Sequence, residues 1–324
     1  MSKSTSAGIL CDATGMVYAS YHRLERAGRS RRARPVPDAI SRDQARFEAM
    51  AVSALAAGFR DRQPRLTDGE GHPINGATLG ITRVDLHADR PICFVHPLMA
   101  GRVLWALLPE YDEAEGDLRG VPGARPKRAR GHLVLTDLFS DAAIELRRDD
   151  ERNPSLPPPR SHADEPRDWQ HGSAHDFELQ EREDREAATN YSLGRPARPE
   201  AFAARDRLLS RLLRRPLILN RCASKAHGAV NTYTHGGDLV IEWCCDAAHR
   251  QVRDLLEPTG MIDAQEMAWA SRSNANGRGD SAIEYTRESQ SRPGVTLLTF
   301  RSGQTCPNPA LFERFQDELR RWYL

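Results

Sequence analysis

The stretch from 149 to 200 is the least core-like part of this 324-residue chain, and it dictates how the rest divides. It holds seven prolines, including Pro157-Pro158-Pro159, and between 149 and 186 twelve acids stand against five arginines. Large aliphatic residues are scarce there, so the segment can bury little apolar surface. It reads as an acidic, proline-rich insertion or linker. Two better patterned regions flank it, 1–148 and 201–324. The length suits one large domain or two modest ones, so the two regions can also belong to a single domain.

In the first region, residues 8–20 are mildly apolar and predict a strand, followed by a basic arm at 20–37. Arg42 to Phe59 predicts a helix. Phe47, Met50, Ala51, Leu55 and Phe59 recur at helical spacing, and Ser41 stands where an N-cap belongs. Thr78–Leu86, Ile92–His96, Val103–Leu108 and residues 132–139 read as strands. Residues 119–130 read as an irregular, exposed basic loop behind the acidic stretch 110–117.

In the second region, Glu200–Arg215 predicts a helix and Pro216–Asn220 a strand. Val230–Thr234 and Leu239–Cys245 flank Gly236-Gly237, a hairpin signal because glycine adopts positive φ at no steric cost. Helices are expected at Asp246–Leu256 and Asn308–Trp322, and Ala282–Thr286 is expected to pair with Val295–Phe300. The fold class that follows is α+β: a mostly antiparallel sheet with helices on one side, and successive β-hairpin-plus-helix units in the C-terminal half. GHLVLTDLFSDAA (131–143) and GDLVIEWCCDAA (237–248) echo each other, each reading as a strand followed by an Asp-started helix.

Charge carries the functional argument. The net charge is only +1, and three of the 46 basic residues are lysine. A GC-rich genome explains an arginine bias by itself, but guanidinium forks also suit phosphates better than ammonium does. Three segments each carry an excess of five positive charges: 20–34, 119–130 and 205–221. Arginines on flexible, glycine- and proline-flanked sequence bind phosphates by releasing counterions. The candidate nucleic-acid contacts are therefore Arg29, Arg31, Arg32 and Arg34 of the arm, with Arg125, Lys127, Arg128 and Arg130 of the loop. In 205–221, Arg207, Arg211, Arg214 and Arg215 lie opposite the leucines and read as a solvated helix face. The acidic 149–186 segment reads as a cover for a basic surface, or simply as a linker.

The densest set of titratable groups is His227, His235, Asp238 and Glu242. A His–Asp pair across a tight turn can act as general base and orienter. His227 and His235 are eight residues apart, roughly 26 Å if extended, too far to share a metal ion. The six cysteines form no C-x-x-C pair, which argues against a zinc ribbon and for free thiols. No phosphate loop, zinc helix or nucleophile elbow is present, and Lys225 and Ser224 have no evident partner. No metal or cofactor is expected. There is no run of about 18 apolar residues, and no apolar stretch of a signal peptide follows Met1. A soluble, cytoplasmic protein with no membrane partner is expected.

The expected function is a nucleic-acid-associated protein, DNA- or RNA-binding, of a phage, plasmid or bacterial defence system. It would work as a subunit of a larger assembly with protein partners. The alternatives are a small hydrolase or transferase acting through the 227–242 residues, and a protein-interaction or inhibitory factor.

Overall fold

The computed structural model describes residues 5–16, 19, 36–60, 79–86, 90–112, 117–129, 131–150, 156, 174–192, 195–196, 199–220, 229–235, 238–243, 256–262, 268–273, 281–286 and 295–299. The chain is α+β. Helix α1 spans Thr5–Thr14 and α2 Arg42–Arg60. Strands β1 (Ile81–Asp85) and β2 (Ile92–Val95) lead into α3 (Ala100–Leu107) and the small ladder of β3 (Glu110–Asp112) with β4 (Asp117–Arg119). Next come β5 (Ala124–Ala129), β6 (His132–Asp137), β7 (Ala143–Arg148) and helix α4 (Ala174–Asn190). The short pair β8 (Tyr191–Ser192) and β9 (Arg195–Pro196) precedes α5 (Pro199–Leu213). The last elements are β10 (Ala229–His235), β11 (Asp238–Trp243), β12 (Ala268–Ser273), β13 (Ser281–Thr286) and β14 (Val295–Thr299).

Helix α2 forms where its pattern predicts. Ser41 Oγ accepts the Gln44 N–H at 3.1 Å, capping the first turn. Phe47, Ala51, Val52 and Leu55 are buried along one stripe. Helix α5 packs along α2, contributing Leu208, Leu209, Leu212 and Leu213 to the same core.

Four local expectations are corrected. Residues 8–14 belong to a helix, not a strand. Ala7, Leu10 and Ala13 are buried at helical spacing, and Gly15, at φ +74°, ends the helix with its N–H on Cys11 O. Val103–Leu108 falls mainly in helix α3, where Ala100, Val103, Leu104 and Leu107 face the core while Trp105 stays exposed. Both runs are short and apolar, the case in which helix and strand are hardest to separate. Pro216–Asn220 is a 3-10 turn lying against α1, with the Ile218 N–H on Arg215 O at 3.0 Å. Asp141-Ala142 starts no helix. The Asp137 carboxylate accepts the Phe139 N–H and the Ser140 hydroxyl, so the chain reverses and enters β7 as a strand.

The first sheet has the order β1-β2-β7-β6-β5. It is mixed: β2 and β7 run parallel, and the other three pairings are antiparallel. Register separates its two faces. Val84, Cys93, Leu146 and Leu133 lie side by side and join the core with α2, α3 and α5. Burial pushes the Cys93 thiol pKa well up, so it stays a neutral, inert thiol. The opposite face carries Arg83, Phe94 and Arg147 in one row, and Ile92, Glu145, Val134 and Lys127 in the next. Its apolar members Ile92, Phe94 and Val134 are outside the core cluster.

The second sheet has the order β10-β11-β14-β13-β12. Its pairings repeat those of the first: an antiparallel hairpin, a parallel step from its second strand to the fifth, then two antiparallel steps. In each case a helix, α2 or α5, precedes the hairpin. The two sheets are thus topologically equivalent, β1 with β10 through β7 with β14. The echo between 131–143 and 237–248 does not follow that equivalence, since β6 corresponds to β13 and β11 to β2. The helices expected at Asp246–Leu256 and Asn308–Trp322 fall outside the described residues, apart from Leu256.

Candidate nucleic-acid interface

The outer face of the first sheet gathers cations from strands that lie far apart in sequence. Lys127 is exposed there on β5, the edge strand, while Arg128, opposite Leu133 of the core row, is exposed on the other side of the same strand. The segment expected as an irregular loop is therefore a strand with a proline, Pro126, paired to Leu135. Proline and long cations are tolerated on an edge, where they also discourage pairing with another chain. Next to β5 lies the central row. Glu145 is buried, and its Oε1 accepts from Arg147 Nε at 2.8 Å and Nη2 at 2.6 Å. Arg90 Nη2 reaches Glu145 Oε2 at 3.5 Å and His132 Nε2 lies 3.7 Å from Oε1. The Arg147 and Arg90 side chains remain 40% and 44% exposed, enough to meet a ligand while one acid holds their bases in place. At the far edge the Arg83 guanidinium stacks over Phe94, 3.3 Å from the ring centroid, and its Nε donates to Asp149 at 3.2 Å. Each of these guanidiniums already engages a carboxylate, Arg90 and Arg147 that of Glu145 and Arg83 that of Asp149. The face offers guanidinium forks and no metal grouping among the described residues.

Of the residues singled out in the sequence, Arg125 sits in β5 and engages Glu181 of α4: Nη1 at 2.9 Å to Oε1 and Nη2 at 2.5 Å to Oε2. Lys127 and Arg128 lie beside it, exposed. Arg29, Arg31, Arg32, Arg34 and Arg130 lie outside the described residues, as does His227. His235 and Asp238 stand opposite each other at the ends of β10 and β11. Glu242 pairs with Asn231, four residues further along β11, roughly 13 Å from the turn at about 3.3 Å per residue. Arg83, Arg90, His132, Glu145 and Arg147 escaped the sequence reading. The signal available was the alternation in AIELRR, which puts Glu145 and Arg147 on one face.

His96 follows β2 at the same end of the sheet as Asp149. Its Nδ1 accepts the Leu98 N–H at 3.2 Å, capping a 3-10 turn. Burial lowers its pKa, against the pull of Asp149, so the imidazole is neutral at neutral pH and serves as an acceptor.

A separate cavity of about 270 Å³ opens between the start of α2 and the middle of α5, lined by Asp38, Ile40, Ser41, Arg42, Asp206 and Arg207 among others. Asp206 is buried in its wall, with Arg205 Nη2 3.4 Å from its carboxylate. Burial raises its pKa, outweighing the opposing pull of Arg205 and Arg46. For an acid with a raised folded pKa, the favourable contribution is complete below the ordinary carboxylate value and is lost as pH rises through the folded value. Asp206→Asn is therefore expected to raise Tm at pH 7, with the gain shrinking towards pH about 4, near the unfolded pKa. Thermal melts at the two pH values check this; a lower Tm at pH 7 would show that the Arg205 pairing outweighs desolvation.

Comparison with family models, with curated proteins and with solved structures finds no match to this chain.

Proposed function

We propose that this protein is nucleic-acid-associated and binds phosphates through the outer face and β5 edge of its first sheet. The observation that carries the reading is the convergence of the exposed Lys127 with the half-exposed Arg147 and Arg90 on the side of the sheet away from the core. Cations presented on a sheet track a phosphate backbone without reading base sequence, so affinity is expected to depend on salt more than on sequence.

The test is binding of a labelled 20-mer and of a duplex at about 50 and 200 mM salt, with wild type and the Lys127→Gln, Arg147→Gln double variant. The variant is expected to bind more weakly to both probes. Its plot of log affinity against log salt should flatten by roughly 0.7–0.9 for each phosphate that the variant no longer neutralises. Lys127 is at the surface, and Glu145 keeps Arg90 and His132 beside it when Arg147 is removed, so circular dichroism should be unchanged. Absence of measurable wild-type binding at about 50 mM salt defeats the reading.

A further inference from the structure

Helix α4 lies inside the acidic 149–200 stretch, and it docks on the first sheet in an unusual way. Amphipathic helices normally attach by an apolar stripe. Along 178–186 the two buried side chains of α4 are Glu181 and Arg185, one turn apart, while Leu179 points to solvent. Each makes a forked ion pair. Glu181 Oε1 accepts the Gly123 N–H at 2.7 Å and Arg125 Nη1 at 2.9 Å, and Oε2 accepts Arg125 Nη2 at 2.5 Å. Arg185 donates Nη1 and Nη2 to the two oxygens of Asp137 at 2.5 and 2.8 Å. Arg182 and Arg185 also hold the Phe139 ring, 5.4 and 5.3 Å from its centroid. Arg46 of α2 donates to Arg185 O at 2.8 Å.

The groups around Glu181 have the character of an anion cradle: a guanidinium fork and a backbone N–H at a turn. Gly123 has φ +84°, and a Cβ there would come within 2.7 Å of the Phe139 ring, so the turn needs glycine to present this N–H. A phosphate oxygen pair accepts such a fork as a carboxylate does. The cradle lies on β5, two residues from Lys127 on the same strand. Over 178–186, five acids stand against two arginines, so α4, docked through Glu181 on Arg125, brings net negative charge to this strand.

We propose that the Gly123–Arg125 cradle is a phosphate-binding site that α4 occupies with Glu181, and that a nucleic-acid backbone gains it by displacing the helix. The proposal rests on the nucleic-acid reading above. Over 178–186 the helix is held by ion pairs rather than apolar burial, so that stretch gives up little hydrophobic free energy on leaving, and its departure both frees the cradle and removes the acids it carries.

The test uses the full chain and a labelled dT 20-mer at about 50 mM salt, with two readouts: affinity, and amide hydrogen exchange over 174–190. Adding the 20-mer to wild type should speed exchange in 174–190 several-fold while the β6 and β7 amides keep their protection. Glu181→Gln should bind the 20-mer about 5–10-fold more tightly, and adding Arg125→Gln to it should cancel the gain. Wild-type binding with no change in α4 exchange, or equal affinity for wild type and Glu181→Gln, overturns the proposal and leaves the nucleic-acid reading standing. No binding by either protein overturns both. If Glu181→Gln loses its folded circular dichroism spectrum, wild-type exchange alone decides.

Discussion

Glu48→Ala is expected to cost about 3–5 kcal/mol, the range for breaking a buried ion pair from one side. Glu48 has no exposed surface, and both its oxygens are doubly engaged. Oε1 accepts from Gln44 Nε2 at 2.8 Å and Arg214 Nη2 at 2.6 Å; Oε2 accepts from Ser210 Oγ at 2.6 Å and Arg214 Nε at 2.7 Å. Gln44 in turn bonds both the N–H and the C=O of Ala143, so this network ties α2 to α5 and to the first residue of β7. Removing the carboxylate leaves the Arg214 guanidinium buried, with only the carbonyls of Pro37 and Asp38, at 3.3 and 3.4 Å, as acceptors among the described residues. The Ser210 hydroxyl loses its acceptor as well. Removing both charges should cost far less than the sum of the single changes. Urea unfolding of Glu48→Ala, Arg214→Leu and the double variant measures the coupling, expected at about 2 kcal/mol or more. Additive costs would mean that the pair is not the unit holding the helices together.

What the sequence disclosed and what it hid separate along one physical line. Features set by neighbours in the chain were legible. The Ser41 cap, the Phe47-to-Leu55 periodicity of α2 and the leucines of α5 each act within a few turns of one helix. Features set by distant partners were not. Arg211, Arg214 and Arg215 read as a solvated stripe, yet all three are buried. Their acceptors come from far away: Arg214 finds Glu48 166 residues back, and Arg211 bonds Asp38 173 residues back. Charge arithmetic along the chain carries no record of such pairings. Strand β5 was hidden for a related reason. ARPKRA has poor strand propensity, and its ladder with β6 supplies what its composition does not.

The candidate interface follows the same rule. The basic cluster 125–130 was visible as composition. The contribution of Arg83, Arg90 and Arg147 depends on register between strands separated by α3 and by the β3–β4 ladder. The acidic stretch was read as a cover or a linker, and α4 does place one of its acids on Arg125. That pairing needed a helix in a segment whose described buried positions are ionic, so no apolar stripe announced it. The repeated strand order of the two sheets was equally silent, because it lies in pairings between strands and not in the residues along any one of them.

Arg215→Ala is expected to cost a further large amount, about 3–5 kcal/mol. Arg215 has no exposed surface, and it is the largest fully buried side chain among the described residues. Its guanidinium donates Nε to Thr259 O at 2.8 Å, Nη1 to Arg211 O at 3.1 Å and Nη2 to Val36 O at 2.8 Å. Asp38 Oδ1 lies 3.8 Å from Nη2. One side chain therefore satisfies carbonyls from the segment entering α2, from the end of α5 and from the turn at 256–260. Truncation opens a cavity the size of a guanidinium and strips these carbonyls of their donor at once. Arg215→Lys should recover only part of the loss, since an ammonium is a single point of charge and lacks the planar fork that reaches three acceptors. Arg207→Ala, eight residues earlier and exposed, provides the contrast, with a change within about 0.5 kcal/mol. Chemical denaturation of the three variants decides the matter. A loss under about 1 kcal/mol for Arg215→Ala, or full recovery by lysine, would mean that water replaces the guanidinium and that Arg215 does not clamp the three segments together.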